Sequence, residues 1–392
     1  KFRNLLVIFQ FATSIVLVIS TLVIYGQTIF SNNIDVGYQS NNKIVLNVDG
    51  AGDNLASLKQ ELLNLPEVTS VVYSSEAPSQ DNQNNDNFRL LEPHADGVAN
   101  EAELINYHDM DYGFFEAYQV TPLAGRLFDE NFGSDTFKKV AENEITKASV
   151  LLNASALKKF GFNSAEDAIG KTLERNRRGK QHLTIIGVIP DIYFRSIKFG
   201  VRASLYTLNP GRFRVASISY DTNNLPILLN KIETVWKSNV PMQPINVEFL
   251  SEMMKAQYHD ELTSAQLFLV FSVLAILIAC LGLYGLSAFT VERRTKEIGI
   301  RKVMGANIKD IVALLIWQFS KPVVIANLIA WPIAAYMMMT WLEAFPYRIS
   351  YFWLMPICLG VGLLSMIIAW STVGGNAAQV AKKNPIKALR YE

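Results

Sequence analysis

Apolar residues are distributed along this chain in two rhythms. Four runs are almost continuous: Leu5 to Tyr25, Leu267 to Thr290, Ile311 to Met339 and Phe352 to Val373. An α-helix rises about 1.5 Å per residue, so about 20 apolar residues cross a hydrocarbon core about 30 Å thick. All four runs are long enough, none carries an acidic residue, and only the third carries a cation, Lys321. They predict four transmembrane helices, at 1–26, 262–291, 310–340 and 352–373. Residues 27–261 have instead the mixed rhythm of a water-exposed domain, while 292–309 and 341–351 read as connectors and 374–392 as a tail.

Within 27–261 the pattern predicts an α+β fold. Lys43 to Val48 is rich in β-branched residues and reads as a strand. Leu55, Leu58, Leu62 and Leu65 then repeat at helical spacing behind a capping Asp53 or Asn54, and Pro66 ends that helix before a strand at Val68 to Tyr73. The same order returns as strand Val215 to Tyr220, helix Leu225 to Lys237 and strand Pro244 to Phe249. Two such units at the ends of one domain predict a split α+β subdomain with the middle inserted. The insert shows strands at Val150 to Leu152 and Leu183 to Ile189, and a helix at Ala154 to Phe160 capped by Gly161. Asp81 to Asn87, DNQNNDN, has almost no apolar content and predicts a mobile loop.

Charge sets the orientation. The net charge is only +1, so no global field attracts nucleic acid, and no nucleic-acid partner is expected. Locally, Arg293, Arg294, Lys296, Arg301, Lys302 and Lys309 crowd the loop after the second run, and Lys382, Lys383, Lys387 and Arg390 the tail. By the positive-inside rule both face the cytoplasm, which puts 27–261 and 341–351 outside. Trp341, Phe345, Tyr347, Tyr351, Phe352 and Trp353 cluster at the outer boundary this implies, where aromatic rings favour the headgroup level. Ala275, Ala279, Gly282 and Gly285 form a small-residue stripe that would let another helix approach closely. Pro322 and Pro332 are expected to kink the third span. The first run is longer than the apolar region of a signal peptide and lacks a small-x-small cleavage site, so it reads as a retained anchor.

Candidate chemistry is sparse. Cys280 and Cys358 lie inside apolar runs and read as buried hydrophobes. The four histidines, His94, His108, His182 and His259, are scattered, and no HExxH, GxSxG or phosphate-binding loop is present. His108 with Asp109 and Asp111 is the nearest approach to a ligand cluster, and it reads as ordinary polar residues. The sequence therefore predicts no enzyme, no cofactor and no metal site. A membrane-anchored sensor of an extracytoplasmic ligand is the alternative class, but a tail of 374–392 leaves little room for a signalling domain.

The loop after the second run is more ordered than a basic connector requires. Glu297 and Arg301 form a favourable i,i+4 pair, Ile298, Val303 and Met304 supply an apolar stripe, and Gly305 stops the helix they predict. Asn307 can cap the next helix, with Asp310 near its positive end. Arg294, Glu297, Ile298, Gly299, Ile300, Arg301, Gly305 and Ala306 closely resemble the R-x-x-E-I-G-I-x-(K/R)-x-x-G-A signature of the FtsX-like and MacB-type permeases, the type VII ABC transporter family. The tail Asn384 to Arg390, NPIKALR, is similar to that family's usual ending. Phe9, Gln10, Phe11 and Ser14, with Asp35 to Tyr38, resemble the second half of tandem Bacteroidota permeases.

The resemblance implies a permease of the bacterial inner membrane with a periplasmic domain of MacB-like two-part type. It implies a separate ATP-hydrolysing ABC subunit docked on Arg294, Glu297, Ile298, Gly299, Arg301, Met304 and Gly305, and a second permease half or a homodimer. Lipoprotein, peptide or drug handling, export and mechanotransmission are the activities it brings.

Overall fold

A computed structural model describes residues 2–32, 34, 36–80, 83–92, 100–137, 145–176, 179–257, 259–293, 297, 304 and 308–381. The helices are α1 (Phe2–Asn32), α2 (Leu55–Leu63), α3 (Phe114–Ala117), α4 (Ala154–Lys159), α5 (Ala165–Ala168), α6 (Leu225–Asn239), α7 (Leu250–Ala256), α8 (His259–Arg293), α9 (Ile308–Leu342) and α10 (Leu354–Ala381). The strands are β1 (Lys43–Asn47), β2 (Val68–Ser74), β3 (Asn85–Leu90), β4 (Glu103–Asp109), β5 (Ala124–Gly125), β6 (Thr146–Asn153), β7 (Thr172–Asn176), β8 (Lys180–Ile189), β9 (Ser204–Thr207), β10 (Val215–Tyr220) and β11 (Val247–Phe249). The chain divides into a membrane unit, 1–33 with 259–392, and an α+β unit, 34–258.

Four helices of the membrane unit are long and apolar enough to cross a bilayer: Leu5–Ser31, Leu262–Thr290, Ile316–Leu342 and Tyr351–Gly375. α1 packs mainly against α8 and α9, and less extensively against α10. Its buried residues Val7, Phe11, Ile15, Ile19 and Val23 recur every fourth position, which keeps one face inward. α9 meets the others through Val323, Ala326, Ala330, Ala334 and Met338, and its three alanines form a ladder that lets backbones approach where no water drives association. Pro322 and Pro332 both lie inside this one continuous helix.

The α+β unit contains two sheets. The first, in the order β11-β1-β10-β2, is antiparallel throughout. β1 and β2 therefore run parallel with β10 between them, and β10 and β11 run parallel with β1 between them. This is the split arrangement that the two ends of the domain predict. Ile44, Leu46, Tyr73, Ala216 and Ile218 point to the face covered by α2 and α6, against Leu58, Leu62, Leu228, Ile232 and Trp236. Val45, Val72 and Val215 point the other way, into a second core shared with Phe114, Tyr206 and Leu250.

The insert forms the second sheet, β5-β8-β6-β9-β4-β3-β7. β7 also pairs with β8, so the sheet closes on itself around Phe88, Tyr107, Val150, Leu183 and Leu205. Here one expectation fails. Asn85–Asn87, expected in a mobile loop, begins β3, because β4 and β7 satisfy that strand from either side and Phe88 anchors it in the closed core. Asp86 is held there by Arg175 Nε at 2.8 Å. Residues 81 and 82 of the same run lie outside the described residues.

Lys43 starts β1 with its ammonium buried. It donates to Ala117 O and Ser219 Oγ, both at 2.7 Å, and lies 4.4 Å from the centre of the Tyr118 ring. These partners are neutral, so desolvation lowers its pKa to about 8. The unfolded chain then binds more protons between pH 8 and the usual lysine value, and stability from this group rises with pH across that window. Against Lys43→Met, the native protein in detergent should gain on the order of 1–2 kcal/mol between pH 7.5 and 9.5. Denaturant titration at the two pH values reads that difference; a constant difference would contradict it.

Candidate functional site

Two of the residues expected to dock an ATPase are described. Glu297 is helical and exposed, and Met304 lies in a turn with 82% of its surface exposed. Arg294, Ile298, Gly299, Arg301 and Gly305 lie outside the described residues. The segment is bracketed by α8, ending at Arg293, and α9, beginning at Ile308. Residues 294–307 therefore join the two helices directly along the chain.

α8 packs along α1, with specific contacts at several levels. Ala279 is buried against α1 and α10. Gly282 faces Gln10, and a Cβ there would lie 2.7 Å from Gln10 Oε1, a buried oxygen with no hydrogen-bond partner among the described residues. Closer to the other end, Thr21 Oγ1 and Ser272 Oγ are 3.3 Å apart. Ala275 is half-buried. Gly285 departs from the stripe: it is exposed within this chain, with nothing within 4 Å of a Cβ built on it. Each three-residue step falls about 60° short of a full turn, so two such steps carry Gly285 about 120° around the helix from Ala279.

Sequence reading missed two further locks. Gln27, buried on α1, donates Nε2 to Tyr347 O and accepts from Ile349 N, both at 2.9 Å, so one side-chain amide pins the connector between α9 and α10. Asn327 on α9 donates to Ser365 Oγ on α10 at 3.0 Å and accepts from Trp331 Nε1 at 3.1 Å. For Asn327 and Ser365 a polar side chain isolated in an apolar run was the available signal, since in lipid such groups must find partners in the protein. Gln27 follows the first run and carried no such signal.

In the α+β unit the cluster His108, Asp109 and Asp111 is split among different partners. His108 Nδ1 meets Glu76, and its ring packs against both Phe194 and Tyr206, with centroids at 4.5 and 5.4 Å. Asp109 bonds Thr207 Oγ1 and lies 3.4 Å from Arg212 Nε; burial pushes its carboxyl up against the pull of those two. Asp111 takes Lys59 Nζ at 2.7 Å. Among the described residues no three His, Cys, Asp or Glu side chains gather as a metal site. His108 to Glu76, with Asp109 N to Ser75 Oγ at 3.0 Å and Ser75 N to Asp109 O at 2.8 Å, fastens the end of β2 to the end of β4. The two sheets are thus joined by a polar strap. Beside it opens a polar cleft of about 350 Å³ lined by Asn47, Asp49, Glu76, Gln80, Arg214 and Glu248. Asp49 and Arg214 are paired across it.

Known proteins resemble both units. Residues 11–231 match the family model for the MacB-like periplasmic core domain, and residues 269–385 match that for the FtsX-like permease C-terminal region. A macrolide export ATP-binding/permease protein MacB from Bdellovibrio bacteriovorus is 24% identical over 73% of this chain, and the match spans only 44% of that protein's length. Among solved structures, the periplasmic region of MacB from Actinobacillus actinomycetemcomitans is similar at 17% identity and a TM-score of 0.37, over 56% of this chain and 94% of that one. A domain of a permease protein from Porphyromonas gingivalis is similar at 14% identity and a TM-score of 0.37, over 54% and 92%. With one model covering more than half of the residues and the other covering the last three membrane helices, the chain belongs to the FtsX-like, MacB-type family of ABC transporter permeases.

Proposed function

We propose that this chain is a permease subunit energised by a separate cytoplasmic ABC ATPase, and that the energy is delivered to its α+β domain as movement of α1 and α8. The order of residues from Arg294 to Ala306, between two membrane helices, carries this reading. Glu297 and Arg301 supply complementary charge to the ATPase, Ile298 and Met304 apolar contact, and Gly299 close approach. A second four-span unit, from a homodimer or from the other half of a tandem chain, completes the permease in the inner membrane. The basic residues support a cytoplasmic 292–309, on the ATPase side, and a periplasmic 27–261.

The route of force is supported by what roots the two helices in the α+β unit. Val36 and Tyr38 follow α1, and Leu250, Met253 and Met254 precede α8; all pack into the same core between the two sheets. Displacement of either helix is thereby applied beside the strap that joins the sheets. The cargo of this movement is a lipoprotein, a peptide or a drug-like molecule, or the movement itself is the output. The test is extraction of the tagged chain in mild detergent. An ABC ATPase in stoichiometric amount is expected; a chain that always purifies without one would overturn the reading.

A further inference from the structure

Only one of the four spans carries a charge, and the fold leaves that charge without a partner. Lys321 lies in Ile316–Leu342, and no other Lys, Arg, Asp or Glu occurs in the four spans. α9 buries Ser320, Val323, Ala326 and Ala330, and it leaves Trp317, Lys321, Val324, Ile325 and Leu328 exposed. The exposed set recurs at three and four residues, so it forms one stripe pointing out of the four-helix unit. Among the described residues, neither the Lys321 ammonium nor the Trp317 indole N–H has a partner. These two donors sit one turn apart on the stripe. Trp370 of α10 differs, because its Nε1 donates to Ser320 Oγ at 2.8 Å, and Ser320 in turn donates to Ile316 O at 2.8 Å.

The spacing of charges sets the depth of the pair. Residues 322–342 carry none, and these 21 positions rise about 32 Å, close to the hydrocarbon thickness of about 30 Å. Glu343 then ends the uncharged stretch on the far side. From Asp310 to Leu342 the same helix rises about 48 Å, more than the core spans even at a tilt of about 40°. Its first turns therefore lie at headgroup level. Lys321 falls at the hydrocarbon boundary on the side of 292–309, and Trp317 one turn nearer the water.

We propose that Lys321 and Trp317 form a binding site for one anionic phospholipid in that leaflet. The ammonium pairs with the lipid phosphate, and the indole N–H donates to the phosphate or to an ester carbonyl. An unpaired ammonium among acyl chains is costly, and a long lysine side chain relieves the cost by reaching the headgroups. A second copy of the chain brings no substitute, because its spans hold no carboxylate. Tryptophan beside a cation is also the composition that this boundary favours. The site involves only the membrane unit and does not depend on an ATPase.

The test uses the full-length chain in phosphatidylcholine nanodiscs with a trace of photoreactive lipid, either phosphatidylglycerol or phosphatidylcholine, carrying a diazirine at the top of one acyl chain. Proteolysis and mass spectrometry locate the labelled residues. Phosphatidylglycerol should label 314–328 about fivefold more than phosphatidylcholine does. Lys321→Gln should bring that ratio below about twofold, and Lys321→Arg should keep it. Trp317→Phe, which keeps a ring but loses the N–H, should lower it by about twofold or more. The unfolding midpoint should not move in any of the three, since both side chains point away from the helix packing. Inorganic phosphate at about 10 mM, too dilute to screen the contact, should leave the ratio unchanged. Equal labelling by the two lipids, a ratio indifferent to Lys321→Gln, or an excess lost to inorganic phosphate would each overturn the proposal. So would the absence of labelling by either lipid, the result expected if a second permease unit covers the stripe.

Discussion

Replacing Arg126 by methionine is expected to cost the α+β unit about 3–5 kcal/mol, because it strands a carboxylate that has no other route to solvent. Asp135 is 0% exposed, whereas the Arg126 side chain is 33% exposed. The two form a forked pair, Nη1 to Oδ2 at 2.6 Å and Nη2 to Oδ1 at 2.9 Å, and Asp129 N adds a third donor at 3.1 Å. Desolvation pushes the Asp135 carboxyl up, but these bonds outweigh it and hold it below the usual carboxylate range. Its contribution is therefore present above the unfolded value and lost as pH falls through the folded one. In Arg126→Met the sign reverses: the stranded carboxyl binds a proton more readily folded than unfolded, so lowering the pH from 7 to 5 should stabilise the variant relative to the native protein. Arg126→Met with Asp135→Leu should recover most of the loss, since apolar replacements remove the buried charge as well as its partner. Thermal unfolding in detergent at the two pH values compares the native protein with both variants. A single variant as stable as the native protein would contradict the argument.

The other large effect is functional. Glu297→Ala with Arg301→Ala should abolish the work done on the α+β domain, reducing transport or its mechanical output by at least about tenfold, because each interfacial charge pair lost costs about 1.5 kcal/mol or more and the two act at one surface. Expression and the unfolding midpoint should be unchanged. Glu297 is exposed and packs in no core cluster. ATP hydrolysis by the partner should continue at its uncoupled rate. Full transport by the double variant would remove these residues from the coupling role.

The legible part of this fold was the part governed by local physics. Four apolar runs mark four helices, but they understate their length: α1 continues from Tyr25 to Asn32, beyond its expected end, because Gln27, Thr28 and Ser31 satisfy one another and the backbone there. The apolar run measures what lipid demands; hydrogen bonding carries the helix further. The interleaved ends of the α+β unit were readable because a leucine repeat and a proline stop lie between β-branched runs. The closed sheet of the insert was not readable. Its order depends on pairings such as parallel β4 with β9, nearly a hundred residues apart, and on β3, whose Asn-rich composition argues against a strand until its neighbours are known.

The candidate site divides the same way. The order of residues from Arg294 to Ala306 was visible because a motif is local. The alanine ladder Ala326, Ala330 and Ala334 was overlooked although its spacing was in plain view, since alanine suits any helix and only the close approach of α1 and α10 gives the spacing a meaning. Gly285 was included in a stripe it leaves, because three-residue steps drift around a helix whose turn is 3.6 residues.

The central claim is that the segment between α8 and α9 is the surface through which a separate ATPase drives this chain. A photocrosslinking residue at Met304, 82% exposed, tests it directly in native membranes. The account predicts one dominant adduct, an ABC ATPase, whose yield changes when a nonhydrolysable ATP analogue is added and which disappears in the Glu297 and Arg301 double variant. Crosslinking to lipid alone, or to an ATPase with a yield that the double variant leaves unaltered, would contradict it.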